Sequence, residues 1–290
     1  MRTLVHLSDL HFGRLDPAIL APLRSSVREI APALVIVSGD LTQRARAEEF
    51  EQARDFLKTL PDPQIIVPGN HDVPLRNLYA RFRLPLREYR RFITEDLDPF
   101  YLDDEIAVLG INTARSLIWK NGRVNVRQIN HIEERFCDVT NAVKVLVTHH
   151  PFDLPEQHGR GDLVGRARRA MIQIARCNID LLLAGHFHVS QSGRTASRYQ
   201  IPGHSAIFVQ AGTISTRARG EVNSFNALRV DKNRIAVERY ALSSEGNFRP
   251  ASEQSCMHSD GLEMTMRYTV EDSTPACCHR DACRRTYNST

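Results

Sequence analysis

The sequence lacks several features that would restrict its class. No apolar run approaches the roughly 18–20 residues that a membrane-spanning helix needs. The segment MRTLVHLSDLHFG lacks the apolar core of a secretory signal. Net charge is only +4, from 38 basic and 34 acidic residues, which is too small to indicate nucleic-acid binding by itself. We therefore expect a cytoplasmic protein that spans no membrane and forms no stable nucleic-acid complex.

Cysteine is scarce in the main part of the chain. Of six cysteines, Cys137 and Cys177 stand alone, and the other four fall between 256 and 283. This distribution does not resemble the disulfide framework of a small secreted protein. Residues 246–290 are polar and carry no periodic apolar face. We expect one main domain over 1–245, followed by a loosely ordered tail.

Strand-like and helix-like segments alternate through the first half of the chain. Residues 3–7, 34–37 and 65–67 are short apolar runs, and apolar residues at helical spacing lie between them. Three such units in succession indicate an α/β protein with a largely parallel sheet. The alternation resumes after residue 101, and the pattern from 205 onward is that of antiparallel hairpins. We expect two sheets, one from each half.

Metal-binding residue types follow five of these apolar runs. They are Asp9 and His11, then Asp40, then Asn70 with His71 and Asp72, then His149 with His150, and finally His186 and His188. Ligands of open α/β sheets gather at the carboxyl ends of the strands, so these residues should meet. Asp9 and His11, like the later His-x-His pair, are two residues apart. They would project to the same side of an extended segment.

The residue types favour a two-metal centre. Mixed nitrogen and oxygen ligands suit Mn, Fe or Zn better than the all-oxygen shell that Ca²⁺ prefers. A carboxylate such as Asp40 can bridge two cations. With only Asp9 and Asp40 as charged ligands, two divalent or mixed-valence ions would keep a positive charge that attracts phosphate. Such a pair, about 3.5–4 Å apart, can activate a bridging hydroxide for in-line phosphoryl displacement.

The ordered motifs D-x-H, G-D, G-N-H-D, H-H-P and G-H-F-H resemble those of the calcineurin-like metallophosphoesterases. The chain is most similar to the bacterial class III cyclic-nucleotide phosphodiesterase branch, over about residues 1–245. The resemblance implies an α/β fold, a four-layer αββα double β-sandwich, with a dinuclear metal centre. Residues 1–245 would then be the catalytic domain.

The resemblance also implies a role for each motif residue. One metal would be held by Asp9, His11, Asp40 and His188, and the other by Asp40, Asn70, His149 and His186. The catalytic residues would be His71 and Asp72. His71 would protonate the leaving oxygen or hold a phosphate oxygen, while Asp72 would steady the loop.

Two branches of the family fit less well. In the purple acid phosphatase branch the second motif resembles G-D-x-x-Y, with the tyrosinate bound to ferric iron. Gln43 occupies the tyrosine position here, so no ferric tyrosinate is expected. In protein Ser/Thr phosphatases the same position holds an acid that would pair with the catalytic histidine. Protein phosphatase activity is therefore not expected.

The implied activity is hydrolysis of a small phosphodiester by attack of a metal-bound hydroxide, with cyclic nucleotides as the first substrate to test. An alternative is a lipid-linked pyrophosphate or phospholipid phosphohydrolase that acts at a membrane surface. It is suggested by residues 76–91, where six arginines face one acid and alternate with Leu, Phe and Tyr. We expect 76–101 to form a basic cap over the site that contacts a membrane or a second copy of the chain. A non-catalytic scaffold is disfavoured, because no ligand is missing.

Three further residues are candidates for substrate contact. Asn112 and Arg115 follow the apolar run 106–111, and His150 follows a metal-ligand candidate. His6 lies within the first strand-like run and is expected to be a core residue.

Overall fold

The computed structural model describes residues 1–217, 219–257 and 265–268. In chain order the described strands are β1 (Arg2–Leu7), β2 (Leu34–Val37), β3 (Gln64–Ile66), β4 (Phe100–Leu102), β5 (Ile106–Gly110), β6 (Val143–Val147), β7 (Leu181–Ala184), β8 (Gln191–Arg194), β9 (Ile207–Gln210), β10 (Ser224–Val230), β11 (Arg234–Leu242), β12 (Phe248–Met257) and β13 (Thr265–Tyr268). The helices are α1 (Leu20–Ile30), α2 (Ala47–Leu57), α3 (Leu78–Arg83), α4 (Arg87–Phe92), α5 (Val126–Phe136), α6 (Ala167–Arg176) and α7 (Ala196–Tyr199). Among the residues just named, no helix combines the length and apolar character required to cross a bilayer.

The described strands form two mixed sheets. The first has the order β13-β12-β11-β10-β1-β2-β3, and the second has the order β4-β5-β6-β7-β9-β8. In the first sheet β1, β2 and β3 are parallel, whereas β10 pairs antiparallel with β1. The expectation of one sheet from each half is therefore wrong, because β10 to β13 belong to the first sheet although β9, which precedes them, belongs to the second.

Three apolar cores separate four layers. One core lies between α1, α2 and the first sheet, and another lies between α5, α6 and the second sheet. The third core lies between the two sheets. In β2, Leu34 and Ile36 belong to the central core while Val35 and Val37 belong to the outer one, so both faces of the strand are covered. The expected four-layer αββα sandwich is confirmed.

The first sheet continues beyond the predicted domain boundary at 245. Strand β12 pairs with the whole of β11, from Leu242 opposite Phe248 to Arg234 opposite Met257. Phe248 is buried, and its ring centroid lies 5.4 Å from that of Phe225. The prediction of a loosely ordered tail from 246 is wrong for this strand. Its polar residues give no alternating apolar pattern, so the sequence did not indicate a strand. Of residues 258–290, which complete the predicted tail, only 265–268 are among the described residues.

The two cysteines of the main domain form a disulfide. Cys137 and Cys177 end α5 and α6, and their Cα atoms are 4.5 Å apart. The interpretation that both stand alone is wrong, because only the packing of the two helices brings them together. Disulfides are uncommon in reducing compartments, so this bond weighs against the expected cytoplasmic location, which stays a prediction.

The arginine-rich segment 76–101 contains α3, α4 and the first two residues of β4. Tyr89 anchors α4 to the body of the protein: it is fully buried, and its hydroxyl donates to the carbonyl of Ile66 at 3.0 Å. Its ring also packs edge-on against Phe50 of α2. The segment is thus packed on the first outer helical layer, and its role as a cap stays a prediction.

We predict that Phe248→Ala lowers the free energy of unfolding by about 3–5 kcal/mol, as is typical when a buried phenylalanine is removed. Equilibrium unfolding in urea measures the change. The control is Phe82→Ala, whose side chain is 50% exposed and whose loss should change stability by only about 0.5 kcal/mol. Equal losses for the two variants would contradict the placement of β12 in the sheet.

Candidate metal centre

Seven metal-binding side chains converge where strands of both sheets end. They are Asp9 and His11 after β1, Asp40 after β2, Asn70 after β3, His149 after β6, and His186 and His188 after β7. All of these strands are parallel to a neighbour in their own sheet, so their carboxyl ends share one edge. The sequence predicted this meeting point.

The backbone at this edge is not extended. Five of the seven residues have positive φ, namely Asp9 (54°), His11 (46°), Asp40 (52°), His186 (79°) and His188 (62°). The prediction that each D-x-H or H-x-H pair projects from an extended segment is therefore wrong. Left-handed backbone is costly for residues with side chains, and it persists where the surroundings impose it. Here the N–H of His11 donates to the carbonyl of Asp40 at 2.9 Å, which holds two of the loops together.

The first ligand cluster is built on Asp9. Its Oδ1 lies 3.0 Å from Nε2 of His188 and 3.5 Å from Nε2 of His11. The two imidazole nitrogens are 3.2 Å apart. Asp40 completes this cluster, with Oδ2 at 3.6 Å from Nε2 of His11. One ligand atom from each of the four residues lies within 4.8 Å of the others, so a single cation could contact all of them.

The second ligand cluster surrounds Nε2 of His149. This atom is 3.4 Å from Oδ2 of Asp40, 3.2 Å from Oδ1 of Asn70 and 3.3 Å from Nδ1 of His186. The same oxygen of Asp40 therefore faces both clusters. A carboxylate oxygen in this position can bridge two cations.

The hydrogen bonds of the histidines show that the clusters suit cations. The Nδ1 atoms of His11, His149 and His188 face the backbone carbonyls of Thr42, Ser38 and Arg217 at 3.3, 2.8 and 2.9 Å. Each ring then donates through Nδ1, and its Nε2 lone pair faces the cluster. The Nε2 lone pairs of His11 and His188 are 3.2 Å apart, so they repel unless a proton or a cation lies between them. Asp9 Oδ1 is also buried without a hydrogen-bond partner among the described residues.

Electrostatics keep the two carboxylates ionised. Burial alone would raise the pKa of Asp9, but His188 and His11 hold that pKa well below its usual range. His149 has the same effect on the pKa of Asp40. Burial lowers the pKa of His186 to about 3, which leaves its imidazole neutral and able to bind a metal. Burial would also lower the pKa of His149, but Asp40 outweighs it and raises the value to about 9, so a cation must displace a proton from this ring to reach its Nε2 lone pair.

The loop that carries His71 is fixed by Asp40 and Asp72. The N–H of His71 donates to Asp40 Oδ1 at 2.8 Å, and its Nδ1 lies 2.9 Å from the carbonyl of Gln43. Buried Asp72 accepts from the backbone N–H groups of Gly69, Leu41 and Thr42 at 2.9, 3.1 and 2.9 Å. Burial and the charge of Asp40 raise the pKa of Asp72 to about 7, while these donors act in the opposite direction. Asp72 thus stabilises the loop, and His71 lies beside the ligands.

One arginine at the site was missed by the sequence analysis. Arg217 Nη1 lies 3.0 Å from Nε2 of His71 and 3.4 Å from Nε2 of His11. The residue belongs to the loop after β9, which is parallel to β7 and ends at the same edge. That topology was the available signal, but residues 211–217 contain no histidine or carboxylate that would mark them as a site.

The three candidate substrate contacts have other partners. Asn112 Oδ1 accepts from the N–H of Ala114 at 2.9 Å, and Arg115 donates to the carbonyls of Asn112 and Ala114. These bonds stabilise their own loop and do not support the prediction that Asn112 and Arg115 contact substrate.

His150 differs from both, because it is fully buried beside the second cluster. Its Nδ1 is 2.7 Å from Oγ1 of Thr113, and its ring centroid is 4.8 Å from those of His149 and His186. The burial is incompatible with the predicted substrate contact in this arrangement. His6 is also buried, with Nε2 2.8 Å from Ser38 Oγ, as expected of a core residue.

Gly185 and Gly69 have no side chain, which leaves room for the carboxylates of Asp9 and Asp40. A Cβ added to Gly185 would overlap Oγ of Ser8 and lie 2.6 Å from Oδ2 of Asp9. A Cβ added to Gly69 would overlap the backbone and side chain of Asp40. The loops approach so closely here that no larger residue fits without moving a ligand.

The sequence profile of the calcineurin-like phosphoesterase family matches residues 2–190. This match covers more than half of the chain and includes all seven candidate ligands. The chain therefore belongs to the calcineurin-like phosphoesterase family, as the order of its motifs predicted.

Curated relatives match over shorter stretches. A glycerophosphodiester phosphodiesterase, GpdQ, from Enterobacter lignolyticus is 37% identical over 81 residues, or 24% of this chain and 29% of the relative. A probable cyclic nucleotide phosphodiesterase from Synechococcus is 24% identical over 158 residues, or 51% of this chain and 58% of the relative. The chain thus matches less than two thirds of the length of either relative.

Solved structures share the fold over more of the chain. A structure of PhoD superposes with a TM-score of 0.71 and 10% identity, covering 93% of this chain and 72% of PhoD. The purple acid phosphatase PPD1 from yellow lupin seeds gives a TM-score of 0.67 and 12% identity, with coverage of 88% and 53%. At these identities the likeness concerns the fold alone.

We predict that Gly185→Ala disrupts cation binding, because the added methyl group displaces Asp9 from the first cluster. Elemental analysis after metal loading should show a loss of bound cation, and stability should fall by about 1–3 kcal/mol from the overpacking. The control is Gly161→Ala, where nothing lies within 4 Å of the added atom. Wild-type metal content in the Gly185 variant would contradict the position given to Asp9.

Proposed function

We propose that this protein is a phosphodiesterase that holds two divalent cations at the clusters around Asp9 and His149. The observation that carries the proposal is the position of Asp40 Oδ2, which is 3.6 Å from Nε2 of His11 and 3.4 Å from Nε2 of His149. One buried carboxylate oxygen shared by two sets of ligands is the arrangement that a cation pair requires. When bound, such a pair supplies Lewis-acid activation of water and neutralises charge on the phosphoryl group.

The charge of the site favours an anionic substrate. Asp9 and Asp40 are the only carboxylates among the seven proposed ligands, so two divalent cations would exceed the ligand charge by two. Arg217 adds a further positive charge beside His71. A phosphate group placed here would therefore meet positive charge from the cations and from the guanidinium.

We assign distinct roles to His71 and Arg217. His71 is held by Gln43 and Asp40 through hydrogen bonds, and neither assigned ligand set includes it. Its Nε2 is on the other side of the ring, 3.0 Å from Nη1 of Arg217, and could contact the leaving oxygen or a phosphoryl oxygen in place of that guanidinium. Arg217 donates towards this Nε2, and its guanidinium can donate to a non-bridging phosphate oxygen. Asp72 acts through the loop backbone and positions His71.

The relatives favour a diester as the substrate. One relative is named for glycerophosphodiesters and the other for cyclic nucleotides. Cyclic nucleotides remain our first candidate. The second candidate is a lipid-linked pyrophosphate or a phospholipid, which is favoured by exposed apolar side chains in the segment that follows the His71 loop.

A substrate panel on Mn²⁺-loaded protein tests the proposal. We expect about two cations per chain by elemental analysis, with faster hydrolysis of diesters than of monoesters. The panel contains 3′,5′-cyclic AMP, glycerophosphocholine, a lipid-linked pyrophosphate and nitrophenyl mono- and diesters. Full activity with one tightly bound cation would overturn the two-metal assignment, and monoesters as the best substrates would overturn the diesterase assignment.

The roles of His71 and Arg217 should be distinguishable by how each variant's activity depends on the leaving group. We predict that His71→Ala lowers kcat on an alkyl diester by about 10²–10⁴-fold if the imidazole assists departure of the leaving oxygen. The loss should be smaller on a nitrophenyl diester, whose leaving group departs unaided. Arg217→Ala should instead raise KM on both substrates by about tenfold, the effect of losing one charge-assisted hydrogen bond.

Both variants should retain wild-type metal content. An equal loss across leaving groups for His71→Ala would assign that residue to phosphate positioning. Loss of a cation from His71→Ala would contradict its exclusion from the ligand sets.

A further inference from the structure

Exposed apolar side chains are concentrated in two short segments of the chain. Among the described residues, seven of the twelve large apolar side chains that are exposed fall within 75–84 and 117–119. We call them the apolar patch, and they are Leu75, Leu78, Tyr79, Phe82, Leu84, Leu117 and Trp119. Tyr79 is 72% exposed and Leu117 is 81% exposed, so water covers a surface that folding normally buries.

The buried guanidinium of Arg81 holds the two segments together. Arg81 is only 1% exposed, and it donates to the carbonyls of Ser116 at 2.8 Å and Ile118 at 3.3 Å. Its guanidinium also lies over the ring of Trp119, 4.0 Å from the centroid. The expectation that Arg81 faces substrate or membrane is therefore wrong. The residue instead joins α3 to the loop around Trp119, so the two segments form one surface.

The helix geometry places several of these side chains together. Leu78 and Phe82 are four residues apart on α3, and Tyr79 and Phe82 are three apart. Residues at these spacings are neighbours on a helix surface. Arg81 belongs to the same helix and contacts Trp119 and the carbonyl of Ser116, which places the second segment beside α3.

Basic side chains flank the patch and have few acidic partners. Within the described part of the chain, Arg76 and Arg83 form no ion pair with a carboxylate. Lys120 lies 3.7 Å from Asp162, with its side chain 65% exposed. Arg87 is paired with Glu88 at 2.6 Å. The surface around the apolar side chains thus carries excess positive charge.

The patch lies next to the candidate metal centre along two chain segments. Leu75 follows the His71–Asp72 loop by three residues. The other segment returns from Trp119 to Gly122, which packs against the imidazole of His150, and His150 contacts the rings of His149 and His186. A surface bound by this patch would therefore be close to the candidate metal centre.

We propose that the apolar patch docks the protein on an anionic lipid bilayer. Trp and Tyr with Leu and Phe, flanked by Arg and Lys, match the composition of interfacial membrane-binding surfaces. Basic side chains near the bilayer plane are attracted by anionic headgroups. A second copy of the chain is a poorer occupant, because a symmetric contact would bring the Arg76 and Arg83 side chains of two copies together. The proposal concerns binding and does not depend on the proposed activity.

The single tryptophan of the chain makes the proposal directly measurable. We expect a blue shift of Trp119 fluorescence when the full chain is mixed with vesicles of phosphatidylserine and phosphatidylcholine. Brominated acyl chains in the same vesicles should quench the signal, since quenching requires close contact with the lipid. Binding should weaken at high salt and be much weaker with phosphatidylcholine alone.

Double variants distinguish vesicle binding through the apolar patch from non-specific adsorption. Phe82→Ser with Leu117→Ser should reduce co-sedimentation with the anionic vesicles on the order of tenfold, and Arg76→Ser with Arg83→Ser should reduce it and weaken its salt dependence. The matched control is Ile172→Ser with Val222→Ser, which alters side chains that are 47% and 53% exposed outside the patch. Circular dichroism and thermal unfolding verify that each variant is folded.

The outcomes are distinct. Quenching of wild-type Trp119 with selective loss in the patch variants supports the proposal, and quenching alone supports it if a variant fails to fold. No spectral change and no co-sedimentation would overturn it, as would equal losses in patch and control variants. A dimer that the Phe82 and Leu117 changes abolish, without any vesicle binding, would instead assign the patch to self-association. Vesicle binding is measured without substrate, so an inactive protein leaves this test intact.

Discussion

The burial of Asp40 is the constraint on which the centre depends. Its carbonyl holds His11, its Oδ1 holds the backbone of His71, and its Oδ2 faces His11 and His149. A buried carboxylate is unfavourable unless positive charge or donors surround it. The left-handed backbone of the neighbouring loops and the bare Cα of Gly69 are consistent with this need, because they let the donors approach a group that could not otherwise leave water.

The candidate metal centre is formed by residues of the family motifs, whereas the residues around it lie outside those motifs. The ligands, the His71 loop and the four layers are features by which the chain belongs to its family. Arg217, the buried Arg81 and the apolar patch lie outside those motifs. Under the proposed function, the cations and their ligands would decide which bond is attacked, whereas the residues around them would decide which molecules reach it. If so, substrate preference would depend on Arg217 and the loop around Trp119 more than on the proposed metal ligands.

The sequence predicted what depends on local pattern. The apolar run 34–37 forms a strand with the predicted bounds, because a continuous apolar run between polar residues leaves few alternatives. The meeting of the motif residues followed from strand parallelism. Arg217 and the disulfide could not be found this way, because each depends on how distant segments pack. Strand β12 was missed because its polar residues carry no apolar period.

The two ligand clusters are each drawn from both sheets. His188 of the second sheet completes the cluster around Asp9, and Asp40 and Asn70 of the first sheet complete the cluster around His149. Bound cations would then act as cross-links between the sheets and stabilise the fold by mass action. Neither half of the chain alone contains a complete coordination set. If the chain were divided between β3 and β5, each fragment would lack part of both proposed ligand sets. Metal binding by the mixed fragments would then indicate that the two sheets had associated.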